Sequence, residues 1–389
     1  NAAAGASGNI GVNIATGSQN QQGNAGALSS NSNISNSAIT HAVVNSSQHE
    51  LMDFAWSVMN GANLVSLSGN ALSGASGNIG VNMASGTFNQ QQNNLSTAYS
   101  TYSNHASAAS AAMQDSGVNL NYSNHNFGTD ANASNNTGLY GSVLSNANGL
   151  IGVNEAAGIS NQQSNNLAVA YTANQGIHPY SVGAVSDATN TQVMGADGSM
   201  QGNPFSWSQT ETRNIAGLGQ NALQGASGNI GANLASGNSN QQTNSTAISA
   251  TSDSHNYHTD YAEATARANQ SQMGSGTLDT NVTDGAGLSG NAAQNASGNI
   301  NINVASGSQN QQQNGLAIAS IASAKAMGAA SAPIEQVAMV NASGSMCSTY
   351  TSTVDGSALQ GAQGNIALNV ASGNNNQQAN TLAIASVTH

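Results

Sequence analysis

Short runs in which apolar and small polar residues alternate recur along the chain. Ile10, Val12 and Ile14 alternate with Gly11, Asn13 and Ala15. The same period of two returns as Ile79-Val81-Met83, Ile230-Ala232-Leu234, Ile300-Ile302-Val304 and Ile366-Leu368-Val370. A second alternation follows each run, as in Leu167-Val169, Leu316-Ile318 and Leu382-Ile384. A period of two predicts strands with one face apolar. Helix is disfavoured, because Gly, Asn and Ser are poor helix formers and the period is wrong. The flanking glycines mark turns. Each unit therefore reads as a strand, a turn at the second glycine, and a strand folded back on the first.

The runs belong to one phrase, N-A-L-x-G-A-S-G-N-I-G-V-N-x-A-S-G-x-x-N-Q-Q-x-N-x-L-A-I-A, written six times with variants. Ile10, Ile79, Ile151, Ile230, Ile300 and Ile366 anchor the copies, at spacings of 69, 72, 79, 70 and 66 residues. Three residues on stands Asn13, Asn82, Asn154, Asn233, Asn303 or Asn369. Seven residues on stands Gly17, Gly86, Gly158, Gly237, Gly307 or Gly373. The N-Q-Q-x-N cluster begins ten residues on and contains Gln21, Gln90, Gln162, Gln241, Gln311 or Gln377. The repeats span 1-29, 70-98, 142-170, 221-249, 291-319 and 357-385. Linkers 30-69, 99-141, 171-220, 250-290 and 320-356 vary in length and share no obvious motif, and a tail occupies 386-389.

Composition explains why such units must stack. Leu, Ile, Val and Phe make up 62 of 389 residues, too few for an ordinary apolar core. Charged residues are only 5%, which removes charge-driven disorder as the alternative. In register, each Asn meets the same amide one layer away, at about 4.7–4.8 Å, and amide ladders hydrogen-bond along that direction. An in-register charge would repeat in every layer. Accordingly, 17 of the 18 charged residues lie in the linkers, where water is expected to screen them. Glu155 is the exception, at the position of Met83 and Leu234, and the sequence offers no reason for it.

The same numbers exclude several functions. Three Lys and Arg residues cannot neutralise a nucleic-acid backbone. No apolar run approaches the ~20 residues of a membrane-spanning helix, so no membrane insertion is expected. A single cysteine, Cys347, allows no intrachain disulfide.

At these residues the sequence resembles the Fap functional-amyloid subunits of biofilm-forming bacteria, notably their major fibre subunit. The likeness rests on A-S-G-N-I-G-V-N-x-A-x-G-x-x-N-Q-Q-x-N-x-L and covers all six repeats. It implies a secreted, extracellular protein that polymerises into cross-β fibres of the biofilm matrix. It also implies an outer-membrane export channel and minor fibre subunits as partners. Two features depart from the family. Its major subunit typically has three repeats, and it usually carries paired cysteines near the C-terminus, where Cys347 stands alone.

Candidate chemistry is thin. No G-x-S-x-G or comparable local context supports a Ser/His/Asp triad, so no enzyme activity is expected. Gly74-Ala75-Ser76-Gly77-Asn78-Ile79-Gly80 imitates a phosphate loop but lacks the lysine and the following helix. His255, His258 and Asp260, with Asp253, form the densest cluster of possible metal ligands. Without a placed fourth ligand they read as solvated loop residues. Trp56, Trp207, Tyr99 and Tyr102 read as linker packing rather than a carbohydrate platform. No cofactor and no metal are expected.

The resulting expectation is an all-β protein: a β-solenoid-like cross-β amyloid protomer built from six stacked imperfect repeats. Parts of the linkers are expected to add strands to each layer. The expected partner is the chain itself, in a homopolymer fibre, with the Asn13-type and Gln21-type residues as its structural ladder. The alternative is a monomeric β-solenoid surface adhesin that presents its linkers to a ligand, with capped ends.

Overall fold

The computed structural model describes residues 2–32, 39–50, 54–57, 62–101, 105–117, 120–123, 133–174, 182–195, 198–201, 212–253, 260–323 and 325–388. Within them the chain winds as a parallel β-solenoid, and each turn visits five sheets in the same order. The first sheet comprises Ser7–Ser18, Ser76–Thr87, Asn148–Ile159, Ser227–Asn238, Ser297–Ser308 and Gln363–Ser372. The second comprises Gln21–Asn31, Gln90–Ser100, Gln162–Asn174, Gln241–Asp253, Gln311–Ala322 and Gln377–Thr388. Every pairing is parallel and unslipped. Ile10 lies opposite Ile79, Asn13 opposite Asn82, and Gln21 opposite Gln90.

The linkers form the other three sheets. The third holds Ile39–Glu50, His105–Ser116, Gly183–Met194 and Asp260–Met273. Its last row is split into Ala326–Ser331 and Ile334–Met339 on either side of Pro333, which has no amide hydrogen for the ladder. The fourth sheet has short strands, Phe54–Ser57, Leu120–Ser123, Gly198–Gln201, Gly276–Thr280 and Ala342–Met346. The fifth holds Ala62–Leu67, Ala133–Leu139, Thr212–Leu218, Val282–Leu288 and Thr349–Val354.

Three kinds of interior separate the sheets. The Ile and Val face of the first sheet packs on the fifth, where Ile79, Val81 and Met83 meet Val65 and Leu139. The N-A-L-x-G-A segment is a corner rather than a strand. Its Leu72, Leu144 and Leu223 plug that apolar layer. The Asn face of the first sheet packs on the second sheet through amides. The far face of the second sheet meets the third through alanines, including Ala98, Ala168, Ala184 and Ala264. Small side chains let these two backbones approach closely, so little apolar mass is needed.

The second-glycine residues end the first strand rather than make the whole turn. Gly17 has φ of 101°, and the reversal is completed two residues later by Gln19 at φ 54°. Phe88, Ser160, Ser239, Gln309 and Asn375 take the same left-handed conformation in the other copies. Stacking makes the glycine necessary. A Cβ on Gly158 would lie 2.1 Å from the carbonyl oxygen of Gly237 in the next layer.

Burial corrects, for four carboxyls, the expectation that water screens the linker charges, while Asp187, Arg213, Glu263 and Asp355 are exposed as expected. Glu50, Asp260, Asp279 and Asp284 are all buried, because the linkers are sheets rather than solvated loops. The linkers also share a feature that varied spacing hides. Gln48, Gln114, Gln192, Gln270 and Gln336 fall in register in the third sheet.

Candidate functional site

The site is a set of amide columns parallel to the solenoid axis. Each column exists because the repeat puts one side chain at one register position in every layer. The Asn13 column is continuous. Asn82 donates to Asn13 at 3.0 Å, Asn154 to Asn82 at 2.9 Å, and Asn233 to Asn154 at 2.9 Å. Asn303 then donates to Asn233 and Asn369 to Asn303, each at 3.0 Å.

A second column, from the last Asn of N-Q-Q-x-N, interlocks with it. Asn93 donates to Asn24 of its own column at 2.9 Å and to Asn82 at 2.8 Å. Asn82 returns a bond to Asn24 at 3.0 Å. The two sheets are thus joined by an amide lattice with no charge in it. Buried amides demand partners, and here identical neighbours supply them.

The two glutamines of the cluster divide between faces. The Gln21 column faces the third sheet: Gln162 donates to Gln90 at 2.9 Å, Gln241 to Gln162 at 2.9 Å, Gln311 to Gln241 at 2.8 Å and Gln377 to Gln311 at 2.7 Å. Gln90 lies 3.4 Å from Gln21 at the first step, the longest contact of the column. The next residue faces the first sheet and donates in the opposite axial direction, Gln91 to Gln163 at 2.8 Å. It also bonds the backbone eight residues back, Gln91 to the Met83 carbonyl at 2.8 Å.

The isoleucines stack beside these columns. Ile79, Ile151 and Ile300 are fully buried and Ile230 nearly so, whereas Ile366 in the last layer is 43% exposed. Sequence reasoning did not single out the third-sheet column, where Gln114 donates to Gln48 at 3.0 Å and Gln192 to Gln114 at 2.8 Å. Its signal is a run of alternating small residues ending in Gln, such as Ala184-Ser186-Ala188-Asn190-Gln192.

Glu155 now has a physical role. Its Oε2 accepts the Gly217 amide of the fifth sheet at 3.0 Å. Burial pushes its carboxyl up to about 8, opposed by the Gly217 and Leu139 amides. At neutral pH it is therefore a largely protonated, neutral residue, which is how a lone Glu is tolerated between Met83 and Leu234. The same carboxyl adds to burial in raising the pKa of Tyr140.

The other candidates form no common site among the described residues. His255, His258, Trp207 and Tyr102 lie outside the described residues. Asp260 is buried and accepts the Val182 amide at 2.9 Å. Among the described residues no three His, Cys, Asp or Glu side chains gather in a metal-sized group. Tyr99 stacks on Tyr171, with ring centroids 5.1 Å apart. Trp56 falls on a fourth-sheet strand, and Cys347 is exposed. Gly74–Gly80 is the corner and the start of a strand, with no helix after it.

A parallel solenoid held by uncharged amide columns defines a structural, stacking protein. The chain belongs to the functional amyloid protein FapB/FapC family, whose profile matches residues 1–172, 101–249 and 197–387. A curated relative, described as functional amyloid subunit FapC, comes from Pseudomonas aeruginosa. It is 33% identical over 272 residues, covering 63% of this chain and 73% of that protein. No solved structure matches the chain.

Proposed function

We propose that the chain is a structural subunit that self-assembles into extracellular functional amyloid fibres of a bacterial biofilm matrix. Family membership supports the self-assembly, the secreted location and the absence of catalysis. The observation that carries the mechanism is the self-complementarity of the layers. Every layer presents to its neighbour the same amides and the same isoleucine that it accepts from the other side. A layer of a second chain can therefore continue each column, and strand edges template the addition. The exposed faces of Ile366 and Leu382, 43% and 41% accessible, are apolar surface that such an addition covers.

The Asn13-type and Gln21-type residues act as the assembly ladder in this reading, and the six repeat segments act as its layers. An outer-membrane export channel and minor fibre subunits are proposed partners, supported by the family resemblance alone. Purified protein should bind Congo red and give a meridional reflection near ~4.8 Å. A stable monomer at high concentration, without that reflection, would favour a monomeric surface adhesin instead.

A further inference from the structure

One buried group in the linkers is not required by amide stacking. Asp279 lies in Gly276–Thr280 and Asp284 in Val282–Leu288, and both are fully buried. Four neutral donors surround them. Asn238 donates to Asp279 Oδ1 at 2.7 Å, and Ser308 and Tyr350 donate to its Oδ2 at 2.7 and 3.0 Å. Asn214 donates to Asp284 Oδ1 at 2.7 Å. Asp284 Oδ2 has no partner and rests against Gly237, where a Cβ would come within 2.6 Å of it. The titratable groups facing the pair are each other and Tyr350. Neither aspartate forms an ion pair among the described residues.

The position of Asp284 is informative. Asn63 donates to Asn135 at 2.9 Å, Asn135 to Asn214 at 2.8 Å, and Asn214 to Asp284. This is an amide column in the fifth sheet, and an asparagine would continue it. The chain instead places a carboxyl there, beside a second carboxyl. Two buried like charges with only neutral donors are costly, and protonation is the direct relief. Burial raises both groups above the usual carboxylate range, and for Asp284 the neighbouring Asp279 raises it further.

We propose that Asp279 and Asp284 form a proton-operated latch. The strands Thr212–Leu218, Ser227–Asn238, Ser297–Ser308 and Thr349–Val354 close over the pair only after it has taken up a proton. The donors come from the third and fifth linkers and from two repeats, so an ionised pair in the fourth linker opposes closure of several rows at once. The proposal rests on the assembly reading above and adds its regulation. In the open chain both carboxyls titrate near ~3.9. Closure above that pH therefore takes up protons, and it weakens as pH rises.

The test is the assembly rate of the full chain diluted from denaturant, followed by sedimentation between pH 5 and pH 8. Variants are Asp284→Asn, Asp279→Asn and, as a control of equal charge change, exposed Asp187→Asn. The wild type and Asp187→Asn should slow by about tenfold or more over this range, the equivalent of one pKa unit of linkage. Asp284→Asn should lose most of that slowing and assemble fastest at pH 8. A profile for Asp284→Asn parallel to the control would overturn the latch. So would calcium, at constant ionic strength, speeding the wild type at pH 8 but not Asp284→Asn, because the pair would then bind a cation. Failure of both single variants to assemble even at pH 5 would also overturn it. A wild type that forms no fibre at any pH would instead contradict the assembly reading itself.

Discussion

Two amide columns in this molecule have the same geometry and different endings. The Asn13 column runs through all six layers without a break. The fifth-sheet column runs from Asn63 through Asn135 to Asn214 and ends on Asp284. The first lies in the repeats, where each residue must accept a copy of itself on either side. The second lies in the linkers, where the occupants of one register position differ from turn to turn. Repetition therefore selects neutral, self-pairing side chains. Departure from repetition lets this column end on a carboxyl.

The comparison breaks most severely if charge is forced into the repeated column. Replacing Asn82, Asn154, Asn233 and Asn303 together with Asp places like charges ~4.8 Å apart. At an effective dielectric near 20 each adjacent pair costs about 3–4 kcal/mol. Fibre yield by sedimentation at pH 7 should fall to background, with partial recovery in acid as the carboxyls protonate. Unchanged yield would mean that the column carries no assembly energy.

Glycine offers the next test. Gly158 has φ of 122° and no room for a Cβ, whereas Gly276 has open space around it. Gly158→Ala should destabilise the fold by at least about 2 kcal/mol, and Gly276→Ala by less than about 0.5 kcal/mol. Denaturant midpoints of the two variants check this.

Glu155 sharpens the comparison by pH. Its carboxyl titrates near 4.5 when exposed and at about 8 in the fold. Below the first value both states are protonated and stability does not depend on this group. Between the two values the folded state holds the extra proton, so stability falls as pH rises through the window. The full effect is on the order of 4–5 kcal/mol. Glu155→Gln keeps an acceptor for Gly217 and should flatten that part of the pH profile, as unfolding midpoints at pH 5 and pH 9 would reveal.

A modest effect is expected in the third sheet. Gln114→Ala removes the bonds it donates to Gln48 and to the Gln163 carbonyl and the one it accepts from Gln192, and should cost about 1–3 kcal/mol. A larger loss would mean that the linker column matters as much as the repeated ones.

Much of this arrangement was legible in the sequence because repetition reveals register. The spacing of Ile10 to Ile79, and of Asn13 to Asn82, is that of strands paired in register with an amide column between them. The linkers were harder to read. Gln48 and Gln114 share a column, yet Gln114 stands at a different distance from its own repeat than Gln48 does. Linker length varies in the segments between strands, which hides the third, fourth and fifth sheets from any fixed-spacing reading. The same sheets limit the idea of water-screened charge, which holds for Asp187, Glu263 and Asp355 but not for Asp279 and Asp284, polar in composition but buried by topology. Glu155 needed the fifth sheet to be explained, because its partner Gly217 lies in a linker that the motif does not include.

The central claim is that one chain supplies six layers of a continuous stack. At ~4.8 Å per layer a chain occupies about 29 Å of fibre axis. A chain of 38.6 kDa then gives about 1.3 kDa per ångström in a single filament. Mass per length of the thinnest unbundled filaments, measured by dark-field electron microscopy, tests this directly. A value near 1.3 kDa per ångström is the predicted result. A value near 8 kDa per ångström, one chain for every ~4.8 Å layer, would contradict the solenoid account.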